Sequence, residues 1–69
     1  MNKALLMSYM IKNGDTQAKV AEDMGISESR FNAKINERDG ATFDKNEIRF
    51  LVDRYGLSAD EIMAIFFCS

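Results

Sequence analysis

Apolar residues recur along this chain at the helical period in five separate stretches, divided by short polar runs that hold glycine, asparagine and serine. In the first, Leu6 and Met10 fall one turn apart with Leu5 and Tyr9 beside them. This predicts a helix over residues 3–12, opened by Asn2 and closed by Asn13-Gly14. Val20, Ala21 and Met24 form one stripe of a second helix, 17–24, with Thr16 as its N-cap and Gly25 where a left-handed residue ends a helix cheaply. Ile26 can turn back into the core, and Ser27 caps a third helix of about residues 28–36 whose inner side is Phe31 and Ile35. Phe43 pins the entry to a fourth helix, 45–55, capped by Thr42 or Asp44, with Ile48, Leu51, Val52 and Tyr55 on its buried face and Gly56 at its end. Leu57 belongs to the core. Ser58-x-x-Glu61 is a capping box opening a last helix over about 59–66, with Ile62, Ile65 and Phe66 on its apolar side and Met63 and Phe67 in surplus. The pattern predicts an all-α fold, one five-helix domain over residues 1–69.

Composition narrows the chemistry. A chain of 69 residues is near the lower size at which a core sustains itself, so its stability rests on helix packing and gains from dimerisation. The absence of proline and the frequent Ala, Met, Leu, Lys and Glu suit helices. A single cysteine, Cys68, allows no internal disulfide and reads as a bystander in a reducing cytoplasm; without histidine a zinc site is not expected, and no cofactor is implied. The apolar runs fall far short of the roughly 20 residues of a membrane span. The opening Met-Asn-Lys-Ala-Leu-Leu-Met has the order of a secretory leader, but Ser8 and Lys12 interrupt it and no cleavage site follows, so a cytoplasmic location is expected. There is no glycine-rich phosphate loop and no paired carboxylates in a plausible cleft, which speaks against an enzyme.

The run Thr16-Gln17-x-x-Val20-Ala21-x-x-Met24-Gly25-Ile26-Ser27, followed by Phe31 and Ile35-Asn36, resembles the Cro/C1-type (Xre-like) helix-turn-helix of phage repressors and small bacterial transcriptional regulators. The likeness covers about Gly14 to Leu57. It implies a compact lambda-repressor-like DNA-binding domain, a homodimer at least on DNA, located in the bacterial cytoplasm at the nucleoid. Its target would be an inverted-repeat operator in double-stranded DNA, read by the third helix in the major groove. It also implies that Gln17 holds a backbone phosphate, where the free N–H groups and dipole of a helix start favour an anion. Thr16 and the more exposed Lys19 fall beside it.

With Phe31 and Ile35 turned inward, Glu28, Ser29, Asn32 and Ala33 face outward and Arg30 and Lys34 lie on the flanks. Asn32 could pair with adenine, Arg30 with guanine or a phosphate, Glu28 with the cytosine amino group; Ser29 is tolerant, and the Ala33 methyl can meet a thymine methyl. Lys34 is counted with the phosphate contacts. The other reading of this face is an ordinary solvated one. In relatives the residue at Asn36 and the loop after it lie along the DNA backbone. That loop is more often Asn-Gly followed by basic residues, whereas here Asn36-Glu37-Arg38-Asp39-Gly40 carries two acids and leaves Arg38 as its best phosphate contact. Lys3 and Lys12 either touch phosphate or are solvated helix ends.

Charge tests this reading. The net charge is −2, whereas DNA-binding domains are often basic. The excess is unevenly placed: residues 1–38 hold six basic against five acidic side chains, and residues 39–69 three against six. Met63, Phe66 and Phe67 offer more apolar surface than one short helix buries at home, which marks a dimer contact or simply the completion of a small core. The competing function is a protein-interaction module, an antirepressor or antitoxin-like adaptor on the same scaffold, which an acidic balance would also suit.

Overall fold

Each helix begins where a side chain supplies the acceptor that the first free N–H groups lack. The computed structural model describes residues 1–67, and their helices are α1 (Lys3–Lys12), α2 (Gln17–Met24), α3 (Glu28–Ile35), α4 (Lys45–Tyr55) and α5 (Ala59–Phe66), with a 3-10 turn at Arg38–Gly40. Asn2 accepts from the Leu5 N–H at 3.0 Å, Thr16 from Lys19 at 3.1 Å and Ser27 from Arg30 at 3.1 Å. Of the two candidates before α4, Asp44 is the cap. It accepts from the Glu47 N–H at 2.8 Å, while the Glu47 carboxylate accepts from the Asp44 N–H at 2.9 Å. Ser58 and Glu61 form the expected reciprocal pair. The reading of Cys68 lies outside the described residues.

The stripes converge on one core of Leu6, Met10, Val20, Ala21, Phe31, Ile35, Phe43, Leu51, Leu57 and Ile65. Phe31 meets Phe43 edge to face, ring centroids 5.4 Å apart and planes at 61°. On α4 the expected face is only partly covered: Leu51 is fully buried, whereas Ile48, Val52 and Tyr55 are half-buried and Glu47 is buried in their place. α1 and α5 lie side by side, the Asn2 N–H donating to the Ile65 carbonyl and the Tyr9 hydroxyl donating to Glu61. Among the described residues no helix is long and apolar enough to cross a membrane.

A second tie is electrostatic. Arg54 on α4 donates from Nε and Nη2 to the two Asp15 carboxylate oxygens at 2.9 and 2.8 Å, and from Nη1 to Asp23 at 2.8 Å. The Tyr55 hydroxyl also donates to Asp15, at 2.8 Å. One guanidinium therefore joins α4 to α2 and to the link before it, in a paired geometry that a lysine would not reproduce. Arg54 and, secondarily, Tyr55 hold the Asp15 carboxyl below its ordinary value near 3.8. A carboxyl lowered in the folded state adds stability above its unfolded value and loses it as pH falls through the folded one. Asp15→Asn is expected to cost about 1–2 kcal/mol at neutral pH. It is also expected to flatten the loss of melting temperature from about pH 5 to about pH 2. Thermal melts across that range check both; a variant with the parent's acid slope would show that this contact adds nothing.

Candidate nucleic-acid interface

Between α2 and α3 the chain turns in three residues. Gly25 takes φ 84°, a left-handed conformation that costs a side-chain-bearing residue about 1 kcal/mol. This lets the Ile26 N–H return to the Ala21 carbonyl at 3.0 Å, so Ile26 folds back half-buried and Ser27 can start α3 at once. Phe31 and Ile35, 0% and 1% exposed, fix the rotation of α3. Its first turn then presents Glu28, Ser29 and Arg30 to solvent, with Ala33 half-buried beside them.

Asn32 is also half-buried, because the start of α2 packs against the middle of α3. Its Nδ2 donates to Gln17 Oε1 at 3.0 Å, its Oδ1 accepts from Arg38, and its backbone carbonyl accepts from Asn36 Nδ2 at 2.8 Å. Asn36, the C-cap one residue after α3 ends, accepts in turn from Lys3 Nζ at 2.5 Å. Gln17, Asn32, Asn36, Arg38 and Lys3 thus form one polar line across α2, α3, the following turn and the start of α1. Thr16 and Lys19 stand exposed beside it, although Thr16 spends its hydroxyl on the cap and Lys19 lies 3.5 Å from Asp23.

Lys34 does not lie on the outer flank where the sequence pattern places it among the phosphate contacts. Instead its ammonium meets both Glu47 oxygens at 2.6 Å, with the two side chains 13% and 11% exposed. Position 34 is one turn after Arg30 yet faces α4, and the N-terminal turn of α4 supplies a carboxylate to receive it. Phe66 is likewise drawn home. It is half-buried and lines a cavity of about 80 Å³ with Phe43, Ile48 and Lys34, leaving Met63 and Phe67, 58% and 61% exposed, as the free apolar surface of α5.

These pairings change the charge picture more than the net value suggests. Asp15, Asp23 and Glu47 are each matched by a cation within the fold, and Glu61 is held by Tyr9 and its own cap. Around α3, Glu37 is paired with the N-terminal ammonium at 2.9 Å and Lys19 with Asp23, which leaves Lys3, Arg30 and Arg38 against Glu28 and Asp39 as exposed charges. Sequence reasoning did not find the Gln17–Asn32–Arg38 contact, since it gives each of the three a separate outward role. Among the described residues no cluster of three or more His, Cys, Asp or Glu side chains could hold a metal. No family model, curated protein or solved structure matches this chain.

Proposed function

We propose that the chain is a sequence-specific double-stranded DNA-binding regulator whose α2 and α3 act as a helix-turn-helix, with α3 entering the major groove. The supporting observation is the combination at α3: a rigidly fixed inner side, an exposed first turn of Glu28, Ser29 and Arg30, and the polar line from Gln17 to Lys3 along its border. The N-terminal residues of a recognition helix are the ones that reach base edges, and a flanking row of amides and cations suits the sugar–phosphate ridge. Glu28 suits cytosine or the rejection of other bases. A second copy joined through Met63 and Phe67 would set two α3 helices about 34 Å apart on an inverted repeat. Occlusion of polymerase by the bound dimer is the simplest form of control, hence a repressor of phage or prophage type.

Selection of duplexes from a random library, followed by binding in increasing salt, tests this. The expected result is an enriched inverted repeat and an affinity that falls linearly on a log–log plot, about 0.9 in slope for each phosphate engaged. Gln17→Ala should weaken binding to every sequence alike. Failure to retard any duplex at low salt, with another protein copurifying instead, would replace this reading by the adaptor one.

A further inference from the structure

The loop after α3 is held in an unusual shape. Glu37 and Asp39 both adopt left-handed backbone angles, φ 51° and 53°, which non-glycine residues enter at a cost of about 1 kcal/mol each. Such conformations persist where the surroundings impose them, and they gather at functional sites. Here they bracket Arg38 and turn its side chain back along α3 to Asn32, six residues earlier. Asn32 lies three residues before the end of α3, about 4.5 Å along its axis, so the guanidinium is carried from the turn back over the last turn of α3.

Asn32, for its part, is already engaged at both ends of its amide, giving to Gln17 and accepting from Arg38. Pairing with adenine needs one donor and one acceptor from that same amide edge, aimed at the base. The two contacts leave Nδ2 one N–H and Oδ1 one lone pair, but they fix the direction of the amide edge. A guanidinium carries five N–H donors, of which the Asn32 contact takes one, and its fork matches the O6 and N7 of guanine.

We propose that Arg38 is the guanine-reading residue of this face and that Asn32 is a positioning residue that aims it, with Gln17 bracing Asn32 from α2. The proposal rests on the DNA-binding reading above and revises the division of labour within it, moving Arg38 from phosphate to base and Asn32 from base to support.

The test uses the full chain and the duplex that selection returns, measuring affinity for that site and for variants with each base pair replaced in turn. Arg38→Ala is expected to flatten discrimination at one G·C pair by about tenfold to a hundredfold, leaving preferences elsewhere intact. Arg38→Lys keeps the charge but not the planar fork, so it should keep the salt slope and retain the guanine preference only in part. Asn32→Ala should blunt the same pair, and Asn32→Ala with Arg38→Ala should be no worse than Arg38→Ala alone. Melting temperatures close to the parent's confirm that these exposed or half-exposed changes leave the fold in place.

Two outcomes overturn the proposal while leaving DNA binding standing. They are uniform weakening by Arg38→Ala with a salt slope smaller by about one, and loss by Asn32→Ala at an A·T pair that Arg38→Ala does not touch. Failure of the parent chain to bind any duplex overturns the DNA-binding reading itself and this assignment with it.

Discussion

Phe31→Ala is expected to leave the chain largely unfolded at room temperature. Phe31 is fully buried, and its ring lies edge-on to Phe43 at 5.4 Å, joining α3 to the approach to α4. Truncating a buried phenylalanine costs about 3–5 kcal/mol through lost transfer energy and the cavity left behind. A domain of this size has only about 3–10 kcal/mol to lose. Urea denaturation followed by far-ultraviolet circular dichroism should show the transition moved to very low denaturant or gone. Phe31→Leu, which keeps most of the volume, should cost about 1–1.5 kcal/mol and retain a cooperative transition. An alanine variant within about 1 kcal/mol of the parent would mean that the ring does not anchor the core. The consequence reaches the candidate interface, because this ring and Ile35 set which side of α3 faces out.

What could be read in the sequence follows from the range of the forces involved. Helix limits, caps and the inner residues of α1, α2 and α3 were legible because they depend on neighbours within a turn: Thr16 and Ser27 as acceptors, Gly25 as a left-handed stop, Leu6 with Met10 and Phe31 with Ile35 at one helical period. The exposed first turn of α3 was legible for the same reason, as the complement of its buried side. The burial of Glu47 was not. Asp44-x-x-Glu47 carries a capping signal, but that signal is equally at home in solvent, and the partner that draws Glu47 inward stands 13 residues earlier on another helix. Arg54 was hidden similarly, since its two acids lie 39 and 31 residues away. Arg38 escaped because its reach depends on the left-handed Glu37 and Asp39, conformations that neither residue type advertises. Contacts between elements, and backbone imposed by them, are what local pattern does not encode.

Glu47→Ala is expected to be the most damaging change to a charged residue. The carboxylate carries two duties at once, receiving the Lys34 ammonium at 2.6 Å and closing the capping box through the Asp44 N–H. Its loss strands a cation whose side chain is 13% exposed and frees an N–H at the start of α4. Breaking a buried pair from one side costs about 3–5 kcal/mol; the residual exposure here lowers the expectation to about 2–4. Lys34→Met removes the same attraction but fills the space with a methylene chain of similar length, leaving the Glu47 carboxylate its capping bond, so it should cost less. The double variant Lys34→Met with Glu47→Leu replaces the pair by apolar packing around Phe43, Ile48 and Phe66. It should recover about 1–3 kcal/mol relative to the sum of the single changes. Additive losses would show that the two side chains are not coupled. The same lysine variant also bears on the proposed binding: with the Lys34 ammonium held by Glu47, Lys34→Met should leave the salt slope on a selected duplex unchanged. A slope smaller by about one would mean that DNA draws Lys34 away from Glu47, and the energy of that exchange would then be part of the affinity.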